Sequence, residues 1–430
     1  MIKRVSKIKN LKGEIVVPAD KSISHRAVML SSLAEGKSII SNFSQGADCR
    51  STVNLFKDLG VNIDFLNDKT LSIKGGLLQA PKNFLNSGNS GTTMRLVSGI
   101  LAGQDFDSTL IGDESLSKRP MKRIIEPLKL MGADIISQDG KAPLYIKGKK
   151  LRGIEYNSLL ASAQVKSCIL LAGLNKNTEG KTIYTEPYLS RNHTELMLSY
   201  LEADIQTNGS TVIITPSELV SKDIEIVGDI SSAAFFIVAG LIVEGSDFVI
   251  RNVGINPTRT GILDIVSRMG GNLEIINQRE ISGELCADLR VKYSENLKAC
   301  NIFGEDIPRL IDELPVIALL ASQAEGETVI KEAGDLRNKE ADRISCLTCE
   351  LKKIGVNIEE LPDGFVIQGK TRLNGNAELE VYHDHRLAMS FYVAGLICEK
   401  EIAINGFEWI NISFPEFEFL MNELKLNDIR

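Results

Sequence analysis

Lys21, Arg26, Arg95 and Arg386 fall in or beside the first turn of stretches that read as helices. A helix N-terminus carries partial positive charge, so selection for stability alone would put Asp or Glu there. A cation at that position makes sense where an anion also sits, held by backbone N–H groups and by the charge. The segments are Asp20-Lys-Ser-Ile-Ser-His-Arg26, Asn86-Ser-Gly-Asn-Ser-Gly-Thr-Thr-Met-Arg95, Ser162-Ala-Gln-Val-Lys-Ser167 and His383-Asp-His-Arg386. Gly88 and Gly91 would let backbone approach such an anion closely. Several such helix starts point to several phosphate or carboxylate groups in one site. The bland alternative is that the arginines pair with carboxylates such as Glu114 or Asp384. Two further segments, Gly228-Asp-Ile-Ser-Ser232 and Ile311-Asp-Glu-Leu-Pro315, have the same small or acidic character. Capping alone explains Asp229, Ser231 and Ser232.

More cations lie between these segments. Ser117-Lys-Arg-Pro-Met-Lys-Arg123 carries four and has turn chemistry. Lys339-Glu-Ala-Asp-Arg343 reads as one helix face with Lys339 and Arg343 at i, i+4 and Glu340 beside them, either a binding group or a solvated face. Ser190-Arg-Asn-His-Thr-Glu195 adds Arg191 and His193. His383 and His385 alternate, but no third His or Cys stands at metal spacing, so no metal is expected. No Gly-x4-Gly-Lys-Ser/Thr loop and no Gly-x-Gly-x-x-Gly after a strand occurs, which leaves nucleotide binding by those loops unsupported. Cys346-Leu-Thr-Cys349 has redox spacing but lies alone in a predicted helix. The seven scattered cysteines read as reduced thiols of a cytoplasmic protein.

The elements that must position these residues form a faint repeat. Six apolar, small-residue helices each run through a turn into a strand: 27–36 before 37–43, 94–103 before 108–112, 164–173 before 181–184, 233–245 before 247–253, 314–326 before 328–332, and 387–396 before 401–405. Behind five of them an amphipathic helix ends in a turn and an alternating strand, as in Leu59-Gly-Val-Asn-Ile63 and Met131-Gly-Ala-Asp-Ile135. The unit is helix, strand, helix, two strands. A polar alternating stretch at 223–228 divides the six units into two groups of three, with a boundary near residue 228. A chain of 430 residues has room for two or three domains. Its longest apolar run, 233–243, is too short to span a membrane, and the basic N-terminus leads into no signal-like apolar stretch. A formal net charge of −7 argues against a nucleic-acid or membrane surface. Any anion site is therefore a local positive cluster in an acidic body.

Eight of these segments, in this order from residue 15 to about 415, resemble the EPSP synthase family of enolpyruvyl transferases. They are the segments at Lys21, Gly88, Leu116, Ser162, Ser190, Ile311, Lys339 and Asp384. The resemblance implies a mixed α/β fold of two similar lobes, an inside-out α/β barrel of three repeated β/α units each, with the helices buried. Residues 1–19 would join 228–430, residues 20–227 would form the other lobe, and the active site would lie in the cleft between them. Family habit implies a monomer that needs no cofactor. The implied reaction moves the enolpyruvyl group of phosphoenolpyruvate to the 5-hydroxyl of shikimate 3-phosphate and releases phosphate.

Carried over by motif, Lys21, Ser22, Arg26, Ser162, Ala163, Gln164 and Arg191 would hold shikimate 3-phosphate, with Asp312 and Lys339 at its ring oxygens. Lys21, Asn89, Gly91, Arg119, Gln164, Arg343 and Arg386 would hold phosphoenolpyruvate. Asp312, Glu340 and Lys21 would move protons: Asp312 as base toward the hydroxyl, Glu340 with Lys21 toward the vinyl carbon. A carboxylate among cations stays ionised, which suits a base better than an acid. Ala19 departs from the family's usual Gly, and Ile412 stands where some members place a phosphoenolpyruvate-facing Lys. Gly91 is retained, which in this family favours sensitivity to glyphosate. Two alternatives differ in sequence. The sister enzyme acting on UDP-N-acetylglucosamine uses Lys-Asn in place of Lys21-Ser22 and a loop Cys near Arg119. A phosphate-sensing scaffold would not require Asp312 and Glu340.

Overall fold

Each of the six small-residue stretches forms a helix in the computed structural model, which describes residues 1–426. These inner helices are Lys21–Leu33, Gly91–Ala102, Ala163–Leu174, Ile230–Ile242, Leu314–Gln323 and His385–Gly395. None has an acidic residue in its first turn. They are buried on nearly all sides, which is why their sequences show no polar face. Close packing needs small residues: a Cβ on Gly99 would come within 2.1 Å of the Cys168 carbonyl on the neighbouring inner helix. Five outer helices follow: Ala47–Asp58, Lys122–Leu130, His193–Tyr200, Gly261–Arg268 and Arg343–Lys353. Gly60, Gly132, Gly270 and Gly355 end four of them with positive φ, and Glu202 takes the same left-handed place after the fifth at φ 65°.

Each inner helix leads into a strand that begins a common sheet pattern. In the first repeat the order is Ile224–Glu225, Gly36–Ser41, Thr70–Gly75, Asn62–Asn67. The first pair is parallel and the next antiparallel. The second repeat has Leu85–Asn86, Ser108–Ile111, Lys141–Lys147, Asp134–Gln138, and the third has Glu155–Asn157, Thr182–Thr185, Thr211–Ile214, Ile205–Asn208. In these two the strand before the inner helix pairs parallel with the strand after it, a βαβ crossover. The first and fourth repeats exchange that strand. Lys12–Val16 precedes the Lys21–Leu33 helix but pairs with Asp247–Gly254, whereas Ile224–Glu225 precedes the Ile230–Ile242 helix but pairs with Gly36–Ser41. In the sixth repeat the helix Phe417–Leu426 comes after the strand, and no hairpin follows it among the described residues. Glu378–Glu380 pairs parallel with Ile402–Asn405, and Ile2–Val5 supplies the antiparallel neighbour.

The chain divides into two compact units. The inserted unit holds Ala19–Ile226 and Glu280–Glu284, the tip of a hairpin. The terminal unit holds Met1–Pro18, Val227–Arg279 and the chain from Leu285 onward. Its core is one apolar cluster running from Val5 and Leu11 through the inner helices to Leu424. The Asp229 amide donates to the Pro18 carbonyl at 2.8 Å, so the chain leaves and re-enters this unit at one point. Among the described residues no helix is long and apolar enough to cross a membrane.

Candidate active site

The candidate residues of the inserted unit gather at the starts of its inner helices. Asp20 caps the first by accepting from the Ile23 amide at 2.8 Å, so Lys21 opens the helix rather than preceding it. Its ammonium donates to Asp48 Oδ2, and Asp48 lies in the first turn of the next outer helix. Arg26 and Arg95 lie one turn deeper than the first-turn placement expected from sequence, because Asp20 and Ser90 take the capping positions. Arg26 is buried and donates from Nε to Thr194 Oγ1 (2.7 Å), from Nη1 to the Ser22 carbonyl (2.9 Å) and from Nη2 to Ser167 Oγ (2.8 Å). Burial lowers its pKa to about 10, opposed by Glu195 and Asp20 and assisted by repulsion from Arg191.

Two more guanidiniums converge on Gly91. Arg95 Nη1 donates to Gln164 Oε1 at 2.6 Å, and Gln164 Nε2 donates to Thr92 Oγ1 at 3.1 Å. Arg119 Nη2 donates to Asn89 Oδ1 at 2.9 Å, while Asn89 is held through Asp113 at 2.6 Å. A Cβ on Gly91 would stand 3.0 Å from Arg95 Nη1 and 3.6 Å from Arg119 Nη1. Like charges brought this close favour an anion beside them. Ser162 precedes the Ala163–Leu174 helix without a side-chain capping bond, and Ala163 and Gln164 form the helix start. The segment around Arg119 is less loop-like than expected. Asp113 caps a short Glu114–Lys118 helix, and Lys122–Leu130 follows. Lys118 pairs with Glu114, and Arg119 is the cation of that segment that reaches Gly91.

The terminal unit holds a second cluster, built around a buried arginine. Arg343 lies 2.6 Å from Asp384, 2.7 Å from Glu340 and 3.6 Å from Asp312. Burial opposes its charge, but the three carboxylates outweigh that cost and hold its pKa above the usual arginine value. Asp312 also lies 3.4 Å from Lys339, and its backbone carbonyl accepts from Arg386 Nη1 at 3.1 Å. Asp384 has two tasks: it pairs with Arg343 and caps the His385–Gly395 helix by accepting from the Arg386 and Leu387 amides. Asp312, Lys339, Glu340, Arg343 and Arg386 are thus brought together.

Three expectations about local structure need correction. Residues 339–342 are irregular, not helical, because Asp342 caps a helix that starts at Arg343 by accepting from the Ile344 and Ser345 amides. Lys339 still meets Asp312, through a bend rather than a helix face. Ser231 does not cap its helix: its hydroxyl donates to buried Glu313 and accepts from Arg259 Nη2 at 2.5 Å, while Asp229 makes the cap. Glu114 and Asp384 partner Lys118 and Arg343 rather than the helix-start arginines considered from sequence. His383 packs against the Trp409 ring at 4.6 Å between centroids, and His385 is buried. Among the described residues no group of three His, Cys, Asp or Glu could hold a metal. Sequence reasoning missed Asp48, Asp113 and the buried pair Lys166–Glu186. Each looks in sequence like an ordinary surface or helix-start charge, and only the tertiary fold brings its partner near.

Comparison with known proteins agrees with this architecture. Residues 5–421 match the family described as EPSP synthase (3-phosphoshikimate 1-carboxyvinyltransferase). The chain belongs to that family. A 3-phosphoshikimate 1-carboxyvinyltransferase from Thermoanaerobacter sp. (strain X514) is 51% identical over 416 residues, covering 96% of this chain and 97% of the relative. One from Bacillus licheniformis is 50% identical over 420 residues, covering 96% of each. The solved EPSP synthase of Acinetobacter baumannii has a TM-score of 0.89 at 44% identity, with 98% of both chains covered. The enolpyruvyl transferase NikO from Streptomyces tendae shares the fold, with a TM-score of 0.79 at 17% identity over 98% of this chain and 97% of its own.

Proposed function

We propose that this protein transfers the enolpyruvyl group of phosphoenolpyruvate to the 5-hydroxyl of shikimate 3-phosphate, giving 5-enolpyruvylshikimate 3-phosphate and inorganic phosphate. The observation that carries the reading is the cluster in which Asp312 and Glu340 are held by Arg343, with Lys339 and Arg386 alongside. The full-length family relationship supports the same conclusion. Neither a phosphate sensor nor a phosphate store needs two fixed carboxylates among cations.

The reaction forms a bond between the hydroxyl oxygen and C2 of phosphoenolpyruvate while C3 gains a proton. The tetrahedral intermediate then loses phosphate from C2 and a proton from C3, restoring the vinyl group. Asp312 takes the hydroxyl proton. Glu340, with Lys21, serves the carbon proton in both directions. Arg119, Arg343 and Arg386, with Asn89 and the space at Gly91, bind phosphoenolpyruvate and stabilise the departing phosphate. Ser22, Ser162, Ala163, Gln164 and Arg191 bind shikimate 3-phosphate, and Lys339 with Asp312 orients its ring. Arg26, held by its bonds to Thr194, Ser167 and the Ser22 carbonyl, adds its charge to this set. Both residue sets serve one pair of substrates, and the protein works as a cytoplasmic monomer. Glyphosate would compete with phosphoenolpyruvate at Gly91, where an added methyl group would press on Arg95.

The test is phosphate release from phosphoenolpyruvate by purified protein. Release should require shikimate 3-phosphate. Release with UDP-N-acetylglucosamine instead would move the protein to the sister activity, and release with neither would end the proposal.

A further inference from the structure

Behind Arg191 lies a buried ion cluster that substrate contact does not explain. Lys166, Glu186 and Glu195 are each at most 3% exposed. The Lys166 ammonium lies 2.7 Å from Glu186 Oε1 and 2.8 Å from Glu195 Oε1. Glu186 and Lys166 of this cluster hold Ser190, the residue before Arg191. Glu186 Oε1 accepts from the Ser190 amide at 2.8 Å, and Glu186 Oε2 accepts from the Ser190 hydroxyl at 2.6 Å. Lys166 donates to the Ser190 carbonyl at 3.1 Å. Every polar group of Ser190 is therefore bound to a buried ion. Burying ions costs several kcal/mol each, and a well-packed apolar set of similar volume is often as stable or more so. Stability is thus a poor reason for the cluster, whereas fixing one backbone position is a good one.

Lys166 also belongs to the inner helix that starts at Ala163. One ammonium therefore ties the Ser162–Gln164 helix start to the loop that carries Arg191. We infer that Glu186 and Lys166 are positioning residues that set Arg191 relative to Ser162, Ala163 and Gln164, and so fix the geometry of the shikimate 3-phosphate subsite. Neither touches substrate. This rests on the proposed role of Arg191.

Glu186→Ala should raise KM for shikimate 3-phosphate about tenfold, equivalent to ~1.4 kcal/mol. It should leave KM for phosphoenolpyruvate and kcat within about twofold. Glu186→Gln removes one charge but leaves Lys166 paired with Glu195, so it folds even if the alanine variant does not, and it should show the same selective rise at smaller size. The double variant Lys166→Met, Glu186→Leu should keep the thermal midpoint closer to the parent than Lys166→Met alone, yet keep the raised KM; a purely structural cluster would recover KM along with stability. Arg191→Ala is the reference. If it raises KM for shikimate 3-phosphate while both folded Glu186 variants do not, the positioning role is wrong and the subsite reading stands. If Arg191→Ala leaves that KM unchanged, the subsite reading fails and this inference fails with it.

Discussion

Arginines of the two units are compensated in opposite ways, although lysines of the inserted unit also pair with carboxylates, Lys21 with Asp48 and Lys166 with Glu186. In the terminal unit Arg343 is matched by Asp384, Glu340 and Asp312, all within 3.6 Å. In the inserted unit Arg119 donates to Asn89 and Ser115, and Arg26 to Thr194, Ser167 and a carbonyl, all neutral. A guanidinium held by neutral dipoles keeps its full charge for an incoming polyanion. A guanidinium matched by carboxylates offers an anion less field, but it holds those carboxylates in fixed places. On the proposed roles, most contacts to shikimate 3-phosphate fall in the inserted unit, and the carboxylates that move protons fall in the terminal unit.

Variants in each unit can break that division. The largest effect belongs to Asp312→Asn, which removes the proposed base while keeping its shape. We expect kcat to fall by about 10²–10⁴-fold, with the Kd for shikimate 3-phosphate within a few-fold by calorimetry. A near-normal kcat would remove Asp312 from the proton chemistry. Asp384→Asn comes next. Asn can still cap the His385–Gly395 helix, so the change isolates the lost charge beside buried Arg343. Breaking a buried pair costs ~3–5 kcal/mol, and because Glu340 and Asp312 remain the loss should fall at or below the lower end, read from the urea midpoint. No loss would mean that Arg343 does not depend on this carboxylate. Arg119→Ala should mainly raise KM for phosphoenolpyruvate, by roughly 10–100-fold for a lost hydrogen bond to a charged group. An equal loss in kcat alone would place Arg119 in the chemical step and blur the division.

The smallest effect is on acid stability. His25 is buried against Thr52 (2.6 Å), and burial lowers its pKa to about 3. The unfolded chain takes up that proton near pH 6.5. Between these values the unfolded state binds more protons, so the contribution is complete above pH 6.5 and declines as pH falls. At pH 5 the loss is ~2 kcal/mol. His25→Asn should flatten this part of the stability profile, and an unchanged slope would assign the acid sensitivity to the carboxylates of the terminal unit.

Much of this was legible in the residues. The inner helices announce themselves by small apolar runs, and their starts by Asp20, Ser90, Asp229 and Asp384, because capping is a local interaction. Lys21 and Arg386 were legible as cations in the first turn of a helix, whereas Arg26 and Arg95 lie one turn deeper than the pattern implied. What failed was decided by competition or by distance along the chain. Asp342 claimed the capping position and turned an expected helix face at Lys339 into a bend. Ser231, two residues from a real cap, was drawn to Glu313 and Arg259 instead. The strand exchange between the first and fourth repeats left no trace, since Lys12–Val16 carries no mark saying which later strand it will meet.

The sixth repeat has a consequence for biosynthesis. Its sheet is completed by Ile2–Val5, which pairs with Ile402–Asn405. At about 5–20 residues per second, a ribosome needs roughly 20–80 s to make the partner of that strand. Lys12–Val16 likewise waits for Asp247–Gly254. Both strands are therefore made long before the strands they pair with, and through that interval their backbone edges wait unpaired.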